Sequence, residues 1–374
     1  MKDTISYERY ERQLALKEFG EAGQQKLLQA KVLMIGAGGL GCAVLPYLAA
    51  AGIGQIGIVD DDTVALNNLH RQVLYNVHDI GLPKAQQAAS VLRQLNPDIS
   101  IRAFTERLTV TNALSMMKEY DVIVDGTDNF STRYMINDAC VLLNKPLVYG
   151  AVSKFEGQVA IFNCTGNDNQ PPVNYRDLFP QPPGPGEVFN CAETGVLGVL
   201  PGIIGGMQAS ETIKLVTGIG VPLVNKIITY NALTNQLFEL QITAGAATGD
   251  LIPATMAAFE QTDYDWLCGI VANNFEIDAS TFDKLRANND VLLIDVREPG
   301  EMPLIDEFAH KQIPLGIMAQ EWPETESETI IVFCQSGKRS LQAAKLLAGH
   351  WGNRKKIYSL AGGIRQWKNN NHKN

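Results

Sequence analysis

The chain has 374 residues, a length that at roughly 100–200 residues per domain points to two domains rather than one core. Apolar residues make up 45% and charged residues 19%, which excludes a disordered chain and leaves much surface to bury. A net charge of −9 offers no general attraction to a phosphate backbone or an anionic bilayer, so neither nucleic acid nor a membrane surface is expected as a partner.

From the start, Met1-Lys2-Asp3-Thr4 lacks an apolar signal region, and six cysteines are scattered along the chain rather than packed into a small scaffold. That reads as a reduced, cytoplasmic protein. No charged residue occurs between Lys31 and Asp60, but Pro46 and repeated glycines break this stretch into strand, turn, helix and strand rather than a membrane span. Short apolar runs at Val32–Ile35, Ile56–Val59, Val122–Val124 and Leu147–Tyr149 predict parallel strands buried on both faces. Leu40–Ala51, Lys84–Leu95 and Ser131–Leu143 predict the intervening helices. The result is an α/β, doubly wound Rossmann-like domain over residues 1–245, completed by a strand at Gln158–Phe162, a Pro/Gly-rich loop at 170–186, a helix near Ile203–Val216 and a hairpin at Ile227–Ile242. Residues 246–275 read as a linker. Residues 276–374 alternate again, with strands at Val291–Ile294, Ile330–Phe333 and Lys356–Tyr358, and predict a second, small α/β domain.

Gly36-Ala37-Gly38-Gly39-Leu40-Gly41 follows a strand and opens a helix, and Asp60 ends the next strand about 20 residues on, the dinucleotide-binding spacing. Backbone amides at such a turn meet phosphate, and the carboxylate accepts from ribose hydroxyls. Asn68-Leu69-His70-Arg71-Gln72, Lys84 and Asp128-Asn129 add amides, two cations and a carboxylate near strand ends. That set suits a triphosphate with Mg2+ on Asp128 better than a nicotinamide.

The motifs Glu8-Arg9-Tyr10-Glu11-Arg12-Gln13, Gly36–Gly41, Asn68–Gln72 and Gly126-Thr127-Asp128-Asn129-Phe130-Ser131-Thr132-Arg133 together resemble the adenylating enzymes of molybdopterin and thiamine biosynthesis, bacterial relatives of the ubiquitin-activating enzymes. The resemblance covers about residues 5–245. It implies that ATP and Mg2+ are used to adenylate the C-terminal glycine of a small ubiquitin-fold sulfur-carrier protein. Gly39, Asp60, Asn68, Arg71, Gln72, Lys84, Asp128 and Asn129 would hold ATP, Asp128 through the magnesium, and Arg12 would reach across the twofold axis of a homodimer. Cys191, in Phe189–Gly198, matches a cysteine that in relatives can form an acyl thioester or acyl disulfide; packing as a small buried hydrophobe is the other reading. Cys42, Cys140 and Cys164 read as packing residues. Many relatives bind a structural zinc through two Cys-x-x-Cys pairs. Here the matching positions read Asn174-Tyr175-Arg176-Asp177 and Asp265-Trp266-Leu267-Cys268, a poor zinc set, so no zinc is expected and extra packing or hydrogen bonding at that lobe is.

Cys334-Gln335-Ser336-Gly337-Lys338-Arg339-Ser340 lies between a strand and a helix, where amides and the two cations favour an anion at Cys334. Phosphatase-type loops set one residue more between Cys and Arg, so this tighter cradle suits a persulfide. With Asp295-Val296-Arg297-Glu298-Pro299 and Leu360-Ala361-Gly362-Gly363-Ile364-Arg365-Gln366-Trp367, the loop resembles the rhodanese family over about residues 276–370. This implies a persulfide on Cys334, loaded by a cysteine desulfurase or other persulfide donor. The segment Glu301–Ala319 departs from the family pattern. Two other readings stand beside adenylation with sulfur transfer: a nicotinamide oxidoreductase with an appended sulfur domain, and an activator that passes a thioester from Cys191 to a partner.

Overall fold

A computed structural model describes residues 5–166, 171–182, 195–245, 248–267, 275–288, 290–318, 320, 322–351 and 354–371. One compact unit runs to Thr262 and a second begins at Asp263. Among the described residues no helix is long and apolar enough to cross a membrane.

The first unit contains α1 (Tyr7–Leu14), α2 (Gly20–Gln29), β1 (Lys31–Ile35), α3 (Gly39–Ala51), β2 (Gln55–Val59), α4 (Lys84–Leu95), β3 (Ser100–Phe104), α5 (Ala113–Met117), β4 (Val122–Asp125), α6 (Phe130–Leu143), β5 (Leu147–Ser153), β6 (Glu156–Phe162), α7 (Tyr175–Leu178), α8 (Leu200–Thr217), β7 (Lys226–Asn231), β8 (Gln236–Gln241) and α9 (Met256–Glu260). Eight strands form one sheet in the order β3-β2-β1-β4-β5-β6-β7-β8. The first five are parallel and the last three antiparallel. The apolar runs of β1 and β4 are buried because helices cover both faces. The chain leaves β1 toward β2 on one side and returns as β4 on the other, so a crevice opens at their carboxyl ends. Ile35 lies opposite both Val59 and Asp125, which sets three strand ends at one level.

Helix α3 carries no charge and is buried on most of its surface. It packs against α8 at Gly205, where a Cβ would stand 2.6 Å from Ala43 Cβ and 2.7 Å from the Leu40 carbonyl. Helix α1, which motif reading did not recognise as a helix, is tied down by polar contacts: Asn96 Nδ2 donates to Tyr10 Oη (3.0 Å), and Gln13 Nε2 donates to the Ala51 carbonyl (3.0 Å) that ends α3. Part of the stretch read as a linker is packed: α9 lies within it, its start capped by Thr255, and Phe259 is fully buried.

The second unit holds α10 (Tyr264–Leu267), β9 (Glu276–Ile277), α11 (Ala279–Arg286), β10 (Val291–Asp295), β11 (Lys311–Gln312), β12 (Thr329–Phe333), α12 (Lys338–Trp351), β13 (Lys356–Leu360) and α13 (Gly363–Asn371). Its sheet runs β11-β10-β12-β13-β9, all parallel. Central strand β12 separates two apolar clusters, one around Ile330, Val332, Ala344 and Leu347, the other around Ile331, Phe333, Phe282 and Trp367. Within the departing segment, Lys311–Gln312 joins this sheet as edge strand β11.

Candidate functional site

A cavity of about 730 Å3 occupies the crevice at the ends of β1, β2 and β4. Gly39, Asp60, Asn68, Arg71, Gln72, Lys84, Asp128 and Asn129 all line it. Each lies on the connection that follows β1, β2 or β4, Gly39 and Lys84 as the first residues of α3 and α4. Gly36, at φ +91°, touches the loop after β4; a Cβ there would lie 2.9 Å from the Gly126 carbonyl, so glycine is needed where the two strand-end loops meet.

Asp60 closes the glycine turn, accepting from the Ala37 amide (2.7 Å) and the Asp62 amide (2.9 Å). Burial pushes its carboxyl up, against the pull of these amides and Lys84. Lys84 donates its backbone N–H to the Asp62 carbonyl (2.9 Å), and its Nζ to Asp62 Oδ2 (2.8 Å). The Tyr75 hydroxyl lies 2.8 Å from the Ala37 carbonyl and 3.3 Å from that of Lys84. It joins the glycine turn to the lysine helix, donating to one carbonyl at a time. Arg71 donates to the Asn67 carbonyl (3.0 Å) and lies 2.8 Å from His70 Nε2; no carboxylate among the described residues pairs with it. Gln72 is buried, and its Oε1 has no partner among the described residues.

The loop that carries Asp128 rests on groups that motif reading missed. Asp125, fully buried at the end of β4, accepts from the amide and hydroxyl of Thr127 at 2.8 and 2.7 Å. Its other oxygen faces Arg133 Nε at 3.6 Å, while Gln208 Nε2 of α8 donates to its carbonyl at 2.7 Å. Burial pushes the Asp125 carboxyl up, opposed first by Arg133. Asn129 caps α6 by accepting from the Thr132 amide (2.9 Å), and Asp128 stays exposed. Amides, a cation without a carboxylate partner, an unpartnered amide oxygen and an exposed carboxylate fit a polyphosphate with a hard divalent cation. Asp125 bonds to Thr127 and faces Arg133 within the motif after β4, whereas Gln208 could be found only from the fold, because its partner lies 83 residues away.

Arg12 is exposed on α1 and does not line the cavity of its own chain. Cys191 and Cys268 lie outside the described residues. Cys42 and Cys140 are buried, which raises both thiols, Cys42 to about 12; Cys164 is half-buried. Where relatives place zinc ligands, Asp177 Oδ2 accepts from Asn174 Nδ2 (2.7 Å), and its Oδ1 from the Gly245 amide (2.7 Å) and the Thr248 hydroxyl (2.5 Å). Hydrogen bonds hold α7 to the chain beyond β8.

In the second unit Cys334 directly follows β12 and is fully buried. Its loop is held by the segment after β13. Ile364 N–H donates to the Cys334 carbonyl (2.8 Å), and Gly363, at φ +64°, sits where a Cβ would be 2.5 Å from that carbonyl oxygen. Arg339, one of the two cations expected near the sulfur, also holds a carboxylate. Arg339 meets Glu301 through two bonds of 2.6 and 2.7 Å, and the Glu301 carboxyl is drawn down to about 2, first by Arg339 and then by the Glu298 amide. Arg297 pairs with buried Asp295 (2.6 Å) and donates to the carbonyls of Glu301 and Pro303, and Gln335 Nε2 reaches the Met302 carbonyl (3.2 Å). Residues 298–303 thus form a strap bonded to the Cys334 loop.

Comparison with known proteins agrees with this geometry. The ThiF family matches residues 10–249 and the rhodanese-like domain residues 278–370. A Mycobacterium tuberculosis protein named probable adenylyltransferase/sulfurtransferase MoeZ is 40% identical over 96% of this chain and 92% of its own length. A Thermus thermophilus protein named sulfur carrier protein adenylyltransferase is 46% identical over 70% of this chain and 97% of its own. The crystal structure of Escherichia coli MccB with MccA-N7isoASN shares the fold, with TM-score 0.56 and 23% identity over 65% of this chain and 73% of that one. With its nucleotide crevice and a cysteine loop on two successive α/β units, the chain belongs to the ThiF family, as an ATP-using adenylyltransferase joined to a rhodanese-like sulfurtransferase domain.

Proposed function

We propose that the protein activates the C-terminal glycine of a small ubiquitin-fold sulfur-carrier protein, residues 1–245 doing the adenylation and residues 276–374 supplying sulfur. The observation that carries this reading is the gathering of Gly39, Asp60, Asn68, Arg71, Gln72, Lys84, Asp128 and Asn129 around one crevice in a chain that also holds the Cys334 loop. The name of the Thermus relative supports the choice of carrier.

The carrier carboxylate is ionised at neutral pH and needs no base. Its oxygen attacks the α-phosphorus of ATP; an acyl–O–P bond forms and pyrophosphate leaves. Amides of the glycine turn, Arg71 and Lys84 orient the phosphates and neutralise the leaving charge. Asp128 would hold Mg2+, which when bound adds charge neutralisation. The outer sulfur of a Cys334 persulfide then attacks the acyl carbon, and AMP leaves. A second thiol, Cys191 or one from outside the chain, attacks the Cys334 sulfur of the resulting acyl disulfide; the S–S bond breaks, a new disulfide forms and the thiocarboxylate departs. A cysteine desulfurase or other persulfide donor reloads Cys334 once thiols reduce that disulfide. Arg12, exposed and outside its own cavity, would complete the site of a second copy in a homodimer. Asn174 and Asp177 already spend their oxygens on hydrogen bonds, which supports a fold without zinc; metal analysis of the purified protein tests this.

The decisive experiment mixes the protein, ATP, Mg2+ and a sulfur donor with each candidate carrier ending in Gly-Gly and weighs the products. Cys334→Ala is expected to retain ATP–pyrophosphate exchange and to form no thiocarboxylate. Undiminished thiocarboxylate from that variant, with no other donor present, overturns the proposal.

A further inference from the structure

We propose that Ser340 and Ser359 form a buried hydroxyl relay that steadies the anionic form of Cys334, with Ser340 touching the sulfur and Ser359 acting as the positioning residue behind it. This deepens the reading that Cys334 carries sulfur and rests on it. Ser340 Oγ lies 3.4 Å from Cys334 Sγ and 3.0 Å from the Gly337 carbonyl. Ser359 Oγ, from β13, donates to Ser340 Oγ at 2.9 Å. Both serines and the cysteine have no exposed surface.

The charges around this sulfur make the hydroxyls matter. On α12, Arg339 is held by Glu301 of the strap and Lys338 is exposed; at the end of β10, Arg297 is held by Asp295. Arg339 and Arg297 are each tied to a carboxylate, Arg339 still bringing positive charge near Cys334, and Lys338 and Arg365 are exposed. A buried hydroxyl without a partner is costly, and alanine would satisfy this packing without that cost. Each hydroxyl has one proton and two lone pairs. Since Ser359 fills one lone pair of Ser340, the Ser340 proton goes to the Gly337 carbonyl or to the sulfur. The carbonyl is the closer acceptor for a neutral thiol. Once the sulfur is a thiolate or persulfide anion, a charge-assisted bond in a low-dielectric interior is the stronger one, and the proton turns to sulfur. Ser359 fixes the direction of that turn.

The test is a pH titration of thiolate absorbance in the full-length protein, each variant read against the same variant carrying Cys334→Ala, so that the other cysteines cancel. Ser340→Ala is expected to raise the midpoint by about one pH unit, the scale of one hydrogen bond to a charged group. Ser359→Ala is expected to raise it by less, and Ser340→Thr to restore it. If Ser340→Ala does not fold, the Ser359→Ala shift decides. Midpoints unchanged in the folded alanine variants overturn the relay. Mass analysis of Cys334 in wild type after exposure to a persulfide donor keeps the two readings apart: no added sulfur there defeats the carrier role, whatever the titration shows.

Discussion

The nucleotide crevice and the Cys334 loop are built from the same parts and finished in opposite ways. Each lies at the carboxyl end of a parallel strand, before a helix N-terminus, with a glycine at positive φ where two loops meet. In the crevice, among the described residues, Arg71 pairs with no carboxylate and Gln72 keeps an unpartnered oxygen. In the cysteine loop, Arg297 and Arg339 are tied to carboxylates and the sulfur is covered. A site for a polyanion must leave positive charge available, because phosphate brings its own counter-charge. A site that stores a reactive sulfur gains by sealing it and offering it neutral donors, since a free cation there would attract competing anions.

This contrast can be broken first at Arg71. Arg71→Ala removes a cation that pairs with no carboxylate among the described residues and is expected to lower ATP–pyrophosphate exchange about 100-fold or more, while sulfur loading of Cys334 stays unchanged; equal losses in both assays would erase the distinction. Next in size is Asp125→Ala. It leaves Arg133 buried without its carboxylate and is expected to cost about 3 kcal/mol of unfolding free energy in denaturant titration, with exchange lost as the Asp128 loop loosens. Tyr75→Phe keeps the ring and removes one hydroxyl, so a loss near 1 kcal/mol is expected, seen as a several-fold rise in KM for ATP with kcat nearly constant.

The smallest effect tests the paired side of the contrast. Glu301 has a folded value near 2, below its ordinary 4.5. It therefore stabilises the second unit above pH 4.5 and loses that contribution as pH falls toward 2. Glu301→Gln is expected to flatten the acid limb of stability in that window, modestly, because the pair is partly exposed. Thermal unfolding across that pH range checks it.

Legibility followed the range of the interactions involved. Runs such as Val32–Ile35 announce parallel strands because burial on both faces demands apolar residues at every position. β3 escapes notice because Arg102 interrupts it and its chain is only partly buried, whereas β8, although all six of its residues are exposed, is legible as the second strand of the hairpin around Leu233-Thr234-Asn235. α9 was hidden in a stretch poor in charge and weak in period, where only the fully buried Phe259 shows that it packs.

By itself the sequence determined the two units, the glycine turn, the cations and the Cys334 loop, because each is written in residues close along the chain. Tertiary structure alone decided which charges are free and which are taken. Asp125 with Gln208, Tyr75 with Ala37, Glu301 with Arg339 and Ser359 with Ser340 are pairs joined only by folding, and electrostatics in a buried site depends on distance in space, not on separation in sequence.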